Sequence, residues 1–313
     1  MLPTSKTNRP ADLFAGKPSS FQAVLAEVEE FWTPLPDKPE ETAEAVARAL
    51  WLTAAGTPMS AERCVALALP ALDEQALGRL RTLLERKRDG EPLAHLTGRQ
   101  TFMGLDLLAG PSALIPRKET EILGRALAGK LDQIARERDE IRVIDLCTGC
   151  GNLALACASH EPRARVWGAD LSPEAVALAR LNAERCGLAS RVEFREGDLF
   201  APFQDAEFLG RCDLVSCNPP YISSSKVPGM HREISGFEPG LAFDGGTFGI
   251  SVLTRFLREA PRFLKPGAWL ALEIGAGQGP ATARQLAKNP ALAEVETRSD
   301  AGGEIRAVLA RAR

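Results

Sequence analysis

From about residue 118 to the end of the chain, short apolar runs alternate with amphipathic ones, and this alternation restricts the fold more than any other feature. "IRVIDLC", "RVWGADL", "RVEFREGDL", "CDLVSCN" and "WLALEIG" read as strands; "NLALACAS", "SPEAVALARLNAERCG" and "SVLTRFLREAPRFL" read as helices between them. Strand and helix repeated in this way predict a parallel sheet covered on both faces. Ser172 as cap, Pro173 in the first turn and Gly187 beyond the last mark the ends of one helix. The closing stretch, "AEVETRSDAGGEIRAVLARAR", holds two strand-like runs around a Gly-rich turn, which predicts an antiparallel hairpin at the end of the sheet.

Upstream the period changes. "PSSFQAVLAEVEEFW", "EETAEAVARALWLTAAG" and "DEQALGRLRTLLERKRDG" carry helical spacing broken by Pro and Gly, so residues 1–90 are expected to form a small helical domain. The short apolar runs of "EPLAHLTGRQTFMGLDLLAGPSALIPRKETEIL" suggest a strand pair, a linker over 91–117, with the sheet domain over 118–313. A chain of 313 residues, 45% hydrophobic and 25% charged, can bury a core in each of two domains. A net charge of −3 supplies no general field for polyanions. A protein or small-molecule partner is therefore expected rather than nucleic acid. Seven cysteines without a framework spacing fit a reducing compartment. The first twenty residues contain no apolar leader, and no run of ~18 apolar residues follows. The expectation is a cytoplasmic protein that does not span a membrane.

The chemistry-bearing residues fall at the ends of the expected strands. "DLCTGCGNLALA" places a Gly-rich turn, Cys147, Thr148, Gly149, Cys150 and Gly151, between the first strand and its helix. There the backbone can approach a ligand closely. Asp170 ends the next strand nineteen residues after Gly151, and Asp198, followed by Leu199, closes the third. Acids at such positions accept hydrogen bonds from ribose hydroxyls, so a nucleoside-containing ligand is implied. With Ala154 as a permitted substitute for the third glycine, spacing alone leaves a dinucleotide dehydrogenase open.

The fourth strand ends in "SCNPPYISS", with Asn218, Pro219, Pro220 and the only tyrosine of the chain, Tyr221. Here the chain resembles the class I S-adenosylmethionine-dependent methyltransferases whose N/D-P-P-Y/F motif acts on planar nitrogens. More narrowly, it is similar to the HemK/PrmC family of N5-glutamine methyltransferases, which modify peptide-chain release factors. The resemblance runs over roughly residues 90–310 through "GEPLAHLTG", "LIPRKETEIL", "DLCTGCG", "NPPYI", "FEPGLAFDGG" and "LKPGAWLALEIG". It implies a Rossmann-like fold and a cofactor, S-adenosylmethionine, leaving as S-adenosylhomocysteine. The cofactor would be held by residues 147–151, Asp170, Asp198, Leu199 and Asn218, with Leu199 beside the adenine. It further implies N-terminal helices that dock the protein substrate.

An amide nitrogen is a poor nucleophile because its lone pair is delocalised into the carbonyl. If the Asn218 oxygen and the Pro219 carbonyl each accept one N–H, the lone pair turns towards the methyl of a sulfonium. The prolines hold those acceptors rigidly, and Tyr221 is expected to stack on the acceptor group. Each feature also has a plainer reading. NPPY could be a rigid turn, and Asp170 and Asp198 could be ordinary strand-end residues. "CTGC" has the spacing of a zinc site, but no second pair or histidine closes a tetrahedron, so no metal is expected. Cys147 and Cys150 read instead as a thiol pair open to accidental oxidation. His95, His160 and His231 share no motif and read as solvated or structural. Phe102 is core by default, while the resemblance makes it a candidate lining of the acceptor pocket together with Asn218 and Tyr221.

Two departures bear on the acceptor. Relatives usually carry glycine where Cys147 stands and "IPRPET" where this chain has "IPRKET". "DLCTG" and "HLTG" lean towards enzymes that methylate a ribosomal-protein glutamine, whereas "IPRKETE" and "FEPGLAFDGG" lean towards the release-factor branch. A diverged relative acting on a small molecule stays open.

Overall fold

The computed structural model describes residues 20–229 and 232–313. His231, and all but the last of the twenty residues read as lacking a leader, lie outside the described residues. Five helices come first: α1 Phe21–Phe31, α2 Ala43–Ala54, α3 Ala61–Cys64, α4 Glu74–Arg88 and α5 Leu93–Thr97. The first four start on side-chain caps, with Ser20, Thr42, Ser60 and Asp73 each accepting from the amide three residues on. Val24, Val28, Leu50, Leu80, Leu84 and Leu93 share one apolar core. Helix α5 stands where the strand-pair linker was expected to begin. Pro92 precedes it, Gly98 in the left-handed region ends it, and Leu93 and Leu96 turn into the helical core. The strand pair itself is shorter, β1 Arg99–Phe102 against β2 Leu105–Leu108.

The rest of the chain is the alternating unit. Its helices are α6 Thr120–Ile134, α7 Asn152–His160, α8 Pro173–Arg185, α9 Arg232–Ser235, α10 Ser251–Glu259 and α11 Gly279–Ala287. Its strands are β3 Ile141–Leu146, β4 Ala164–Asp170, β5 Val192–Glu196, β6 Cys212–Cys217, β7 Leu264–Glu273, β8 Leu292–Ser299 and β9 Ile305–Ala312. They form one sheet of order β5-β4-β3-β6-β7-β9-β8, parallel through β7 and antiparallel at β9 and β8. The fold is thus α/β, a mostly parallel Rossmann-like sheet with a C-terminal antiparallel hairpin. Successive residues of β3 feed opposite layers: Val143 belongs to the core with Leu155 and Leu309, and Ile144 to the core with Trp167, Phe200 and Leu270. From β3 the chain builds outward through β4 and β5, then returns to the other side as β6. That reversal opens a crevice at the carboxyl ends of β3 and β6. Among the described residues, no helix is long and apolar enough to cross a membrane.

The segment after β6 is held against that crevice. Ile222 donates to Phe243 O at 2.9 Å and accepts from Gly245 N at 2.8 Å, so "NPPYI" and "FDGG" run side by side. Arg117 of "IPRKET" pairs with buried Glu238 of "FEPG", whose other oxygen accepts from Ile115 N at 2.9 Å. Arg117 also reaches Asp37, at 3.1 Å, ahead of α2. Lys38 and Lys87, both buried, pair with Glu233 of α9. Lys118, the residue that departs from the usual "IPRPET", bonds to Glu62 of α3 and to Glu121.

Gly249 allows this arrangement for two reasons. It sits at φ +69°, and a Cβ there would run into the Tyr221 carbonyl oxygen. Gly249→Ala is expected to cost at least ~2 kcal/mol through strain and the displaced carbonyl. Denaturant unfolding with far-UV circular dichroism checks this; an unchanged midpoint would mean that the segment yields freely.

Candidate functional site

Strand β3 passes into a turn with three left-handed residues, Cys147 at φ +53°, Gly149 at +54° and Gly151 at +86°. Beneath it lies Asp145, fully buried, whose carboxyl accepts from Thr148 Oγ1 at 2.6 Å and from Ser216 Oγ of β6 at 2.7 Å. Burial pushes this carboxyl up to about 6, against the pull of those two hydroxyls. Asp170, at the end of β4, accepts from Gly149 N at 2.8 Å and Ser172 N at 3.0 Å, so it locks the turn to the next helix. Burial raises its pKa as well. Asp198 is exposed and pairs with Arg255 of α10 at 2.8 Å. Leu199 beside it is buried, with φ +48°.

These residues surround one cleft enclosing about 1050 Å³ of empty space, its open mouth included. Thr148, Gly149, Asp170, Asp198 and Leu199 line one part, and Asn218 and Pro220 another. Leu114, Pro116 and Arg117 from the stretch before α6, and Leu241 and Ala242 from the segment after β6, complete the wall. A lining of carboxylates, small turn residues and apolar leucines suits a nucleoside-bearing ligand with a polar acceptor beside it.

Not every expected residue reaches the cleft. Cys147 lines it, whereas Cys150, Gly151 and Pro219 sit behind the wall. Gly151 serves packing, since a Cβ there would come within 2.7 Å of the Phe194 ring. Phe102 takes the core position that is its default reading. It is 1% exposed within the core that contains Leu107 and Leu127, and it is not among the residues that line the cleft. The thiol beside Cys147 is Cys217 at the end of β6, not Cys150, because parallel pairing sets Leu146 opposite Cys217. His95 has a buried, unpartnered Nε2, and burial lowers its pKa; His160 pairs with Asp132 at 2.8 Å.

Tyr221 is also placed differently. Instead of lining the cleft, its ring packs on Gly275 and its hydroxyl faces two carboxylates, Glu119 Oε1 at 3.1 Å and Glu273 Oε1 at 3.3 Å. Asn218 Nδ2 donates to Thr120 Oγ1 at 3.4 Å. Glu119, Thr120 and Glu273 therefore support the NPPY residues, and sequence reading missed all three. The signal for Glu273 was present in "LALEIG", an acid at the carboxyl end of an otherwise apolar strand.

This architecture defines a class I methyltransferase. Residues 119–234 match the family model of the methyltransferase small domain. The chain is 40% identical to the release factor glutamine methyltransferase of Moorella thermoacetica, over 66% of this chain and 70% of that protein. It is 37% identical to that of Vibrio cholerae, over 76% and 79%. In fold it is similar to the hMettl16 catalytic domain solved with a MAT2A 3′UTR hairpin, at TM-score 0.51 and 12% identity over 76% of this chain and 81% of that one. The chain belongs to the release factor glutamine methyltransferase family.

Two expectations follow from the turn. Cys147→Gly is expected to stabilise the fold by about 1 kcal/mol, because glycine adopts φ +53° without the Cβ clash; a lower thermal midpoint for the variant would refute this. The Asp145 carboxyl, raised in the folded state, favours folding below about pH 4, and that contribution is lost as pH rises through 6. Stability curves from pH 4 to 8 are expected to show wild type losing on the order of 2 kcal/mol that Asp145→Asn does not lose. Parallel curves for the two proteins would show that the carboxyl does not titrate there.

Proposed function

We propose that the cleft binds S-adenosylmethionine and that the chain methylates the side-chain N5 of a glutamine in a peptide-chain release factor. The observation that carries this reading is Asn218 in the wall of the cleft, its Nδ2 committed to Thr120 and its Oδ1 left as an acceptor. The release-factor branch is favoured by the relatives, which bear that substrate in their names.

The residues present fit the cofactor. Asp170 and Asp198 offer carboxylate oxygens for ribose hydroxyls and an exocyclic amine, and Leu171, Leu199 and Val252 offer apolar surface for a flat base. Leu171 is 52% exposed, an apolar side chain that a bound ring would cover. When bound, the cofactor supplies an electrophilic methyl on a sulfonium. The chain's own part is orientation. Asn218 Oδ1, in the wall of the cleft, accepts one of the amide N–H groups, which fixes the amide with its nitrogen lone pair turned towards the methyl. As positive charge develops on nitrogen, Asn218 Oδ1 binds it more strongly. The methylated nitrogen then releases its proton to water, so no general base is required.

Asn218→Ala is expected to lower kcat by about 10²–10³-fold with little change in cofactor affinity. Labelled S-adenosylmethionine, a purified release factor and mass spectrometry of its glutamines measure this. Label appearing on a ribosomal protein or a small molecule instead, from the same wild-type enzyme, would overturn the substrate assignment. Near-normal turnover in Asn218→Ala would overturn the role given to NPPY. Asp198→Ala is expected to weaken cofactor binding about tenfold, by loss of one charge-assisted hydrogen bond; unchanged calorimetric affinity would remove Asp198 from the site.

A further inference from the structure

Glu273 lies at the carboxyl end of β7, 3% exposed, and one of its oxygens, Oε2, has no hydrogen-bond partner among the described residues. Tyr221 donates to its Oε1 through the ring hydroxyl at 3.3 Å, and the Thr120 hydroxyl lies near enough to act on the carboxyl. Those two hold the two ends of NPPY. Thr120 accepts from Asn218 Nδ2, and Tyr221 closes the motif.

We infer that Glu273 is a positioning residue for methyl transfer, a buried hub that sets the orientation of the Asn218 carboxamide through Thr120 and the tilt of Tyr221 directly. The inference rests on the role proposed above for NPPY. A threonine hydroxyl has one proton. With that proton directed at Glu273, only lone pairs remain for Asn218, so the Asn218 nitrogen must face Thr120 and its oxygen is left for the acceptor. Without Glu273, Thr120 could donate to Asn218 Oδ1. The carboxamide could then turn over and present N–H groups to an acceptor that itself offers only N–H.

The tyrosine end depends on a second proton count. The Tyr221 hydroxyl has one proton and two carboxyl neighbours, Glu119 and Glu273. Glu119 is paired with Arg306 at 3.4 Å, and Arg306 in turn with Asp300 at 2.9 Å. Among the described residues Glu273 has no such pairing, and burial pushes it up to about 7. Glu119, Tyr221 and Arg306 are the ionisable groups that act on it. Below that pH the protonated Glu273 can donate to Tyr221, which donates to Glu119, and every proton has an acceptor. Above it, two carboxylates compete for one proton and the ring loses a fixed tilt. The ordered arrangement is therefore present at low pH and lost as pH rises through about 7.

The chain contains one tyrosine, so ring-labelled ¹³Cζ-tyrosine gives a single resonance whose shift follows the state of its neighbours. In wild type that resonance is expected to move with a midpoint near pH 7, and in Glu273→Gln it should stay flat through neutrality. A flat wild-type signal between pH 5.5 and 9 would overturn the inference whatever the substrate proves to be. For transfer to a release factor, Glu273→Ala is expected to reduce kcat about 10–100-fold with cofactor affinity within twofold. Glu273→Gln, which can still donate to Tyr221 and accept from Thr120, should keep kcat within about threefold and exceed wild type at pH 9. Glu273→Ala with normal kcat, or Gln and Ala equally slow, would reduce Glu273 to a structural residue. Absence of methylation by wild type would count against the proposed function instead, and the resonance would still decide the present point.

Discussion

The contact on which the site depends is the buried Asp145 carboxyl, which binds Thr148 of the turn after β3 and Ser216 of β6. These two strands flank the point where the chain reverses its direction of growth across the sheet. A carboxyl carried into that seam without partners would cost several kcal/mol. Satisfied by two hydroxyls, it fixes the spacing between the turn at 147–151 and the motif at 218–221. The turn at 147–151 and the motif at 218–221 are thus parts of one hydrogen-bonded unit rather than two loops that happen to be close.

Around that unit, segments far apart in the sequence are joined by buried ion pairs. Arg117, before α6, binds Glu238, after β6, and Asp37, before α2. Lys38 and Lys87 meet Glu233. Removing one partner of such a pair leaves an uncompensated charge, so each is costly to break even where its net contribution is small. The consequence is geometric. The helical layer grips the stretch 233–238, which leads into Leu241 and Ala242 on the wall of the cleft. The helical layer and this part of the cleft wall are therefore joined through these pairs.

Much of this was legible because it depends on local chemistry. The alternation of β3, α7, β4 and α8, the cap at Ser172 and the closing hairpin follow from periodicity and turn residues, and they appear as read. What was not legible depends on long-range pairing. Helix α5 was hidden by a Gly-rich context, and its five residues are too few to show a period. Phe102 could be core or pocket until the direction of its strand was known. The cysteine neighbours of Cys147 could not be chosen by spacing, since Cys217 is seventy residues away yet stands beside it through the β3–β6 pairing.

Tyr221 shows best why sequence reasoning stops where it does. Read alone, a tyrosine after two prolines is an aromatic ring free to stack, and its hydroxyl looks dispensable. In the fold the hydroxyl is the part most engaged, between Glu119 and Glu273, and the ring lies on Gly275 outside the cleft wall. Burial and two neighbouring carboxylates push its ionisation well above the usual tyrosine range, so it stays a donor. Replacement by phenylalanine would take the Tyr221 donor from the Oε1 of buried Glu273, a loss of about 1–3 kcal/mol when a buried acceptor is left unpaired. The conserving step from tyrosine to phenylalanine is thus not conservative here. The motif works through what lies behind it as much as through what it presents.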